Sequence, residues 1–450
     1  MSAPPIDLQG LIDRQGIGRF HIGLLALCAG VLALDGFDTQ AIGYVAPAII
    51  RDWGVDRTAL TPVFRDGLLG GVVGAVLFGM LADRLGRRPI LVACALCFGI
   101  FSLASAWASS LDGLRLLRFL TGLGLGGGLP NAVALVSEYA PRRLRATMVT
   151  ITVCGFAVGG AAGGLLAAWL LPRWGWSAVF LTGGALLLLF LPLMIARLPD
   201  SLRRVLANGS PGQIERLVAR LAPNARALPG ATFVLAEEGP KHPPLARLFT
   251  EGRALATAMI WLAYFGNLVC LYFLANWLPT VISGTGISIA QAAIATAMLQ
   301  VGGIVGAIAL GRLIDRVGHY AVLTATFLLA AIAIALLGLT GPVFLVVAAV
   351  VFAIGFCIIG GQIGLNALAA ATYPSAIRST GIGAALGVGR MGSVVGPVIG
   401  GLLLARHLDL RSIFLLSALP ALCAAAAILV MRHGARADAA APAPSVEETR

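Results

Sequence analysis

A chain of 450 residues that is 58% hydrophobic and only 12% charged has more apolar surface than a soluble domain can bury. Its net charge of +12 does not indicate a nucleic-acid partner, because the basic residues are gathered in alternate segments between apolar runs. All seven cysteines lie inside those runs and no His/Cys cluster has metal-site spacing, so we predict neither a disulfide framework nor a metal or cofactor.

The apolar runs predict an all-α integral membrane protein with twelve transmembrane helices, since about 20 apolar residues cross a bilayer. Their ends are read from hydropathy alone. The predicted spans are residues 20–46, 60–82, 89–109, 112–137, 146–171, 176–197, 254–280, 288–314, 320–340, 342–370, 377–405 and 411–431.

The distribution of basic residues predicts the orientation of this bundle. With both termini in the cytoplasm, 23 of the 32 Lys and Arg residues lie in cytoplasmic segments and 6 in the opposite loops. We therefore predict a multi-pass protein of a bacterial-type inner membrane. Its predicted parts are a cytoplasmic N-terminal segment 1–19, a six-helix bundle 20–197, a cytoplasmic linker 198–253, a second six-helix bundle 254–431 and a disordered cytoplasmic tail 432–450.

The first span contains two carboxylates, Asp35 and Asp38, in a segment that is otherwise apolar. An acid at membrane depth is a functional candidate because its burial is costly. The i, i+3 spacing places both acids on one helix face, and Gly36 between them lets a neighbouring backbone or a ligand approach. We predict that the two acids carry or gate a proton. The alternative is a frayed helix end with solvated acids.

Arg118 in the fourth span is the predicted partner of these acids. It lies about six residues from the outer end of its span, ~9 Å deep, and Asp35 lies ~8 Å from the same boundary of a ~30 Å core. Asp35, Asp38 and Arg118 can therefore meet at one level. A nearby arginine favours the charged carboxylate and burial favours the protonated one, so movement of the arginine would couple to proton binding.

Two inner-face segments, GMLADRLGRRP at 79–89 and SEYAPRRLRAT at 137–147, combine turn-forming residues with charge. We predict an ion-pair network between Asp83, the arginines and Glu138 that closes an inner gate and breaks when the gate opens. The alternatives are a loop that only holds helices together and, for Glu138, a binding role. The predicted gate residues in this half are Asp83, Arg84, Arg87, Glu138 and Arg145.

The linker 198–253 carries an amphipathic pattern that starts at Ser210-Pro211. We predict a short helix that lies flat on the inner membrane surface. Its apolar stripe would consist of Ile214, Leu217, Val218 and Leu221.

In the second half, Arg390 lies about 12 residues into the eleventh span, ~18 Å deep. A guanidinium there can hold a carboxylate through two parallel hydrogen bonds, so we predict a substrate-binding role, with an ion pair between helices as the alternative. Rings around such a site could stack on an aromatic substrate, although aromatic residues in membrane helices also serve as packing. The candidates are Trp261, Tyr264, Phe265 and Phe356.

The two halves repeat. GMLADRLGRRP at 79–89 matches GRLIDRVGHYA at 311–321 after a displacement of 232 residues, and Arg145-Ala-Thr147 matches Arg378-Ser-Thr380. We therefore add Asp315, His319 and Arg378 to the predicted gate, with a surface hydrogen-bonding histidine as the alternative for His319. An internal duplication with a midplane site between two six-helix halves is a transporter plan.

Buried charge is not part of the repeat. Asp35 corresponds to Asn267 and Asp38 to Cys270, whereas Arg390 has no basic counterpart in the first half. A charge that is present on one side only favours a functional task over folding.

The loop motif G-x-x-x-D-R-x-G-R-R at 79–88 and the E-x-x-P-x-x-x-R motif at 138–145 resemble the major facilitator superfamily. Asp-Gly-Phe-Asp at 35–38, followed by AIGYVAPAI, is similar to the aromatic acid:proton symporters of that superfamily. The resemblance covers residues 20–431 and implies alternating access and transport of hydroxybenzoate- or protocatechuate-like acids. The Arg65-Asp66 pair departs from the family pattern. The residues that the resemblance implicates are Asp35, Asp38, Asp83, Arg118, Glu138, His319, Arg378 and Arg390.

An enzyme is not expected, because no ATP-binding glycine loop is present and the glycines at 122–128 do not follow a strand. We expect a monomer whose partners are protons, a small aromatic carboxylate and the bilayer. Three alternatives stay open: a symporter of non-aromatic organic acids, an exporter of drug-like compounds, and a membrane sensor that binds aromatic acids without transporting them.

Overall fold

The computed structural model describes residues 6–14, 16–221, 233–234, 245–374 and 376–440. Within these ranges twelve helical segments are long and apolar enough to cross a membrane, as predicted. The elements are β1 Ile6–Asp7, α1 Leu8–Arg14, α2 Arg19–Trp53, α3 Thr61–Leu85, α4 Arg87–Ser105, α5 Leu111–Tyr139, α6 Arg145–Trp174, α7 Ser177–Arg197, α8 Leu202–Asn208, α9 Pro211–Leu221, β2 Phe233–Val234, α10 Ala254–Ser283, α11 Ile289–Val317, α12 His319–Leu337, α13 Phe344–Thr372, α14 Arg378–Ala405, α15 Leu410–Ser417 and α16 Leu419–Ala440.

The helix pairings of the N-terminal half, α2–α7, recur in the C-terminal half, α10–α16. The main contacts α2 to α6, α3 to α5 and α4 to α7 correspond to α10 to α14, α11 to α13 and α12 to α16. Equivalent helices thus pair in the same way in both halves, as an internal duplication requires. Below, the end of the bundle that carries residues 84–90 is called the inner end, following the predicted orientation, and the other is the outer end.

At the outer end the two halves pack together into one hydrophobic core. Phe64 of α3 meets Trp277 of α10 edge to face at a ring-centroid distance of 4.9 Å. The same cluster of buried side chains includes Tyr44 from the first half and Ala293 from the second. Such a dry contact excludes water from the outer side of the midplane.

The first transmembrane helix, α2, extends seven residues beyond its predicted end, to Trp53, and runs through Pro47. Proline provides no N–H for the helix ladder, yet its ring is tolerated because neighbouring helices surround this segment. At Gly43, one turn earlier, a Cβ atom would lie 2.2 Å from the carbonyl oxygen of Ala275 in the other half. Only glycine permits this approach, so Gly43 sets how closely the halves can meet.

At the inner end each half has a hydrophobic core of its own. One cluster contains Leu24, Leu135 and Met148 of the first half, and another contains Tyr264, Leu323 and Ile428 of the second. Among the described residues, neither of these inner clusters includes side chains from both halves, whereas the outer cluster does. The protein is therefore closed at the outer end and open between its halves toward the inner end.

The linker forms the predicted helix, α9, but its position differs from the prediction. Leu217, Val218 and Leu221 are buried in the inner core of the N-terminal half, together with Leu8 and Ile12 of α1. The apolar stripe is thus covered by protein instead of lying on the membrane surface, because α1 offers it an apolar face. A two-residue parallel pairing of β1 with β2 also joins the N-terminal segment to the linker.

The last helix runs through Ala440 and so passes the predicted boundary of the tail at 432. The predicted disorder of 441–450 lies outside the described residues and stays a prediction. Linker residues 222–232 and 235–244 are likewise outside them.

Candidate functional site

A buried ion pair joins the first and fourth spans. A guanidinium nitrogen of Arg118 lies 3.2 Å from a carboxylate oxygen of Asp38, and their side chains are 4% and 3% exposed. This contact confirms that Arg118 and an acid of the first span meet at one level. At such burial each charge depends on the other, because removing one partner leaves an uncompensated charge.

Small hydroxyl side chains complete the surroundings of this pair. Arg118 donates to Ser105 Oγ at 2.7 Å and to Thr121 Oγ1 at 3.0 Å, and its guanidinium lies 4.5 Å from the ring centroid of Phe180. Ser102 donates to the second oxygen of Asp38. The sequence analysis did not identify these residues. The available signal was the i, i+3 pair of serines in the apolar third span, at the predicted level of Arg118.

Asp35 is buried but is not part of the ion pair. Its carboxylate accepts a hydrogen bond from Thr39 Oγ1 at 3.2 Å, and a Cβ atom at Gly128 of α5 would lie 3.3 Å from its other oxygen. Among the described residues no basic group lies within ion-pair distance of Asp35. The prediction that Arg118 serves both acids therefore holds for Asp38 alone. Asp35 is thus a buried carboxylate whose side-chain partner is a hydroxyl instead of a cation.

Gly36, between the two acids, serves the approach of a helix backbone. A Cβ atom there would lie 1.9 Å from the carbonyl oxygen of Phe156 on α6. The close packing of α2 on α6 therefore fixes the direction in which the acids on either side project.

Arg390 contributes charge from the other half. It lies 12 residues after the start of α14 and is half-buried, and its guanidinium has no hydrogen-bond or ion-pair partner among the described residues. The Arg390 guanidinium is close enough to interact electrostatically with Asp35 and with the hydroxyl of Tyr272. An unpaired guanidinium at mid-membrane depth can bind an anion without first breaking an internal contact.

The predicted stacking residues lie mainly in helix packing. Tyr264 is fully buried, and its hydroxyl donates to Asn366 Oδ1 at 2.5 Å, so its ring offers no stacking surface in this state. Trp261 lies near the inner end, edge to face with Phe249 at 5.4 Å. Phe265 and Phe356 are half-buried, and both present backbone carbonyls to glycines of the neighbouring helices.

A second polar cluster, absent from the prediction, links α10 to α13. Asn267 Nδ2 donates to Gln362 Oε1 at 2.7 Å, next to the Tyr264–Asn366 hydrogen bond. The remaining polar atoms of the amide pair, Asn267 Oδ1 and Gln362 Nε2, are buried without partners among the described residues. The sequence signal was an amide pair at i, i+4 in the tenth span, whose surroundings are apolar.

On the inner face, Glu138 pairs with Arg87 at 2.8 Å. Its other oxygen accepts hydrogen bonds from Ser201 Oγ and the Leu202 backbone N–H, both at 2.8 Å. Asp83 is exposed and has no ion-pair partner among the described residues. Of the predicted network of Asp83, the arginines and Glu138, the pair of Glu138 with Arg87, which follows the turn at Gly86, is therefore formed among the described residues, whereas Asp83 lies outside it.

The remaining gate candidates do not converge in this state. Arg84 and Asp315 are exposed, without side-chain partners among the residues described, and His319 is half-buried at the start of α12. Arg378 donates from Nε to the backbone carbonyl of Tyr373 at 3.3 Å. Arg145, at the start of α6, keeps a contact of its own. An inner end that is open accounts for gate charges that do not meet.

The unusual Arg65-Asp66 pair belongs to an outer network. Asp66 binds Arg65 at 2.7 Å and Arg115 at 3.0 Å, and Arg115 also binds Asp112 at 2.8 Å. The network joins α3 to α5 one turn outside the buried Asp38–Arg118 pair.

Comparison with protein families and curated sequences places this geometry among known carriers. The model of the Major Facilitator Superfamily matches residues 28–360 and 260–449. The gallate transporter of Pseudomonas putida is 40% identical over 443 residues, 98% of each chain. The 4-hydroxybenzoate transporter PcaK of Pseudomonas aeruginosa is 39% identical, with 96% of this chain and 97% of that protein covered. The benzoate transport protein of Acinetobacter baylyi is 32% identical over 92% of this chain and 90% of its own.

Solved structures agree with the fold. A bacterial homolog of the human lysosomal transporter Spinster, in an inward-facing and occupied conformation, superposes with a TM-score of 0.73 at 17% identity, with 95% of this chain and 100% of that chain covered. The partially occluded, inward-open xylose transporter XylE of Escherichia coli gives a TM-score of 0.71 at 17% identity and covers 96% of this chain and 100% of its own.

Proposed function

The chain belongs to the major facilitator superfamily, and we propose that it is a secondary active transporter that takes up a small aromatic carboxylate together with protons by alternating access. The observation that carries the proposal is the division of charge between the two halves within the membrane. The first half has a buried Asp38–Arg118 pair and an unpaired Asp35, and the second half has an unpaired arginine, Arg390. Relatives that are named gallate, 4-hydroxybenzoate and benzoate carriers support the substrate class.

Arg390 would bind the substrate carboxylate. Its guanidinium can form two parallel charge-assisted hydrogen bonds, and no internal partner must be displaced. The substrate anion would neutralise a cation that otherwise stands near mid-membrane, where an isolated charge is unfavourable. Closure of the inner end around the bound anion becomes less costly as a result.

Asp35 would carry the coupled proton. A buried carboxylate without a cation partner costs least in its protonated form, so entry of a proton and loss of its charge go together. Asp38 is contacted by Arg118 and by the Ser102 hydroxyl, and would keep the arginine in place. Substrate bound to Arg390 would reduce the field of that arginine at Asp35, which favours proton binding and couples the two ligands.

We further propose that the protein is a monomer of an inner membrane with both termini in the cytoplasm. The excess of basic residues in the predicted cytoplasmic segments supports this orientation. In that orientation the open end of the present state faces the cytoplasm, where substrate and proton would be released. The inner-face residues Asp83, Arg84, Glu138, Arg145 and Arg378, with Arg87, Asp315 and His319, would close that end.

The test is uptake of labelled 4-hydroxybenzoate and protocatechuate by proteoliposomes, with and without an inward proton gradient. We expect gradient-driven accumulation that is lost in Asp35→Asn and Arg390→Ala. Asn131→Leu is the control, because its amide bonds a carbonyl of its own helix. If neither acid accumulates, and benzoate and gallate are not taken up either, the substrate assignment is wrong. Counterflow without any effect of the gradient would refute proton coupling, and binding without counterflow would indicate a sensor.

A further inference from the structure

The polar cluster between α10 and α13 lies at the level of Arg390. Counted along the helices from their inner ends, Asn267 is ~20 Å deep, Gln362 ~15 Å and Arg390 ~18 Å. Gly389, next to Arg390, packs against α10, since a Cβ atom there would lie 2.9 Å from Leu268 Cδ1 and 3.5 Å from Tyr264 Cβ. The amide pair and the arginine therefore belong to one region of the C-terminal half.

One acceptor atom and one donor atom of the amide pair are without partners among the described residues. Asn267 Oδ1 and Gln362 Nε2 are buried and have no partner among the described residues, while their sister atoms bond each other at 2.7 Å. Each unsatisfied buried polar atom costs ~1–3 kcal/mol, so two of them side by side in an apolar bundle require a reason. If both amides are turned over, the roles exchange and one donor and one acceptor still remain.

A hydroxyl group is the simplest ligand that satisfies this arrangement, because it donates one hydrogen bond and accepts others. Carboxylate and ammonium groups match it poorly, since the first only accepts and the second only donates. The neutrality of the pair is itself informative. The repeat places Asp35 at the position that corresponds to Asn267, so the same location is acidic in one half and neutral in the other.

We propose that Asn267 and Gln362 form a hydroxyl subsite of the transport site and bind the ring hydroxyl of a hydroxylated aromatic acid whose carboxylate is held by Arg390. This inference rests on the proposed function and sharpens it, because it selects hydroxylated acids over benzoate. Tyr264 and Asn366 act as positioning residues, since their 2.5 Å hydrogen bond joins α10 to α13 beside the amides. Loss of hydroxyl recognition leaves a site that still binds a carboxylate.

The first experiment measures transport efficiency for 4-hydroxybenzoate and benzoate in proteoliposomes of Asn267→Leu and Gln362→Met. We expect the ratio of the two efficiencies to fall at least tenfold, equivalent to ~1.4 kcal/mol, while benzoate uptake stays within about threefold of the wild-type value. The matched control is again Asn131→Leu, an equally buried amide in the other half, which should leave the ratio unchanged. An equal loss for both acids, an unchanged ratio in the variants, or the same change in the control would overturn the subsite.

A second experiment uses the unaltered protein, so it does not depend on the folding of a variant. Unlabelled 4-methylbenzoate, which has neither donor nor acceptor in place of the hydroxyl, should inhibit 4-hydroxybenzoate uptake at least tenfold more weakly than 4-hydroxybenzoate itself. The 4-methoxy compound, which only accepts, should fall between them. Equal inhibition by all three overturns the subsite but leaves the proposed function intact, whereas failure to accumulate any of the aromatic acids refutes the function itself.

Discussion

The two halves repeat one backbone plan and treat charge at mid-membrane in opposite ways. In the N-terminal half Asp38 and Arg118 pair with each other, and hydroxyl groups contact both partners. In the C-terminal half Arg390 has no partner among the described residues, and the amides of Asn267 and Gln362 have polar atoms to spare. A paired buried charge stabilises the fold, whereas an unpaired one is available to bind a ligand. On the function proposed above, the duplicated scaffold would separate proton handling from substrate binding.

The sharpest way to break this comparison is Asp38→Asn. It leaves Arg118 buried without its counter-charge, so we expect a loss of stability of ~3–5 kcal/mol and uptake below about a hundredth of the wild-type rate. Asp35→Asn also abolishes gradient-driven uptake, but it strands no cation and should leave the melting temperature unchanged or higher. Thermal denaturation in detergent, followed by labelling of buried cysteines, measures the stability of both variants, and proteoliposome uptake measures their transport. Equal destabilisation by the two variants would contradict the division of roles.

Arg390→Ala tests the other half. Loss of a charge-assisted contact to the substrate should raise the half-saturation concentration about ten- to a hundredfold. Stability should be unaffected, because no partner of Arg390 is left unpaired. Arg390→Lys keeps the charge but lacks the planar fork, and should recover only part of the affinity. Uptake kinetics and melting curves together distinguish a substrate-binding role from a structural one. A large fall in melting temperature for Arg390→Ala would show that the residue is structural.

Glu138→Gln should have a smaller effect. It removes the ion pair with Arg87 and weakens the contacts to Ser201 and Leu202. We expect faster hydrogen exchange in residues 201–221 and a less than fivefold change in uptake, since the side chains are partly solvated. Asp83→Asn, an exposed acid nearby, should leave that exchange unchanged. Unaltered exchange in Glu138→Gln would mean that the apolar face of α9 alone holds the linker.

The smallest effect is expected at the outer network. Asp66→Asn removes two ion pairs whose arginines are 41% and 37% exposed, so we expect only a small loss of stability and a less than twofold change in uptake. The difference should vanish at high salt, because exposed pairs are screened. Uptake measured at low and at high ionic strength tests this. A loss of uptake comparable with that of Asp38→Asn would place Asp66 in the transport path.

Much of the fold could be predicted from the sequence, because a bilayer requires long apolar helices and a repeat requires like pairings. The meeting of Asp38 with Arg118 followed from helix rise alone, since both residues could be counted from a membrane boundary. The position of α9 could not be predicted in this way. Its apolar stripe fits a membrane surface or a protein surface equally well, and only the location of α1 decides between them.

The site was predicted less completely because a sequence does not show which way a side chain points. Tyr264 is near the correct depth, yet its ring lies inside the C-terminal half and only its hydroxyl takes part in a polar cluster. Gln362 and Asn366 are neutral residues in an apolar span and carry no charge signal that would mark them. On the inner face Glu138 pairs with Arg87, whereas Asp83 is exposed and lies outside the ion pair. Which acid finds an arginine is decided by local geometry.

The two ends of the protein carry different kinds of residue: apolar side chains at the outer end and charged side chains at the inner end. At the outer end the two halves meet through the rings of Phe64 and Trp277 and through backbone at Gly43, whereas the inner face carries arginines and carboxylates. Opening the outer contact exposes apolar surface to water and so carries a large heat-capacity change, while closing the inner end, on the gate proposed above, would depend on ion pairs that salt weakens. The return to the outward state should therefore respond mainly to temperature, and the closing of the inner end to the ionic strength of the cell interior.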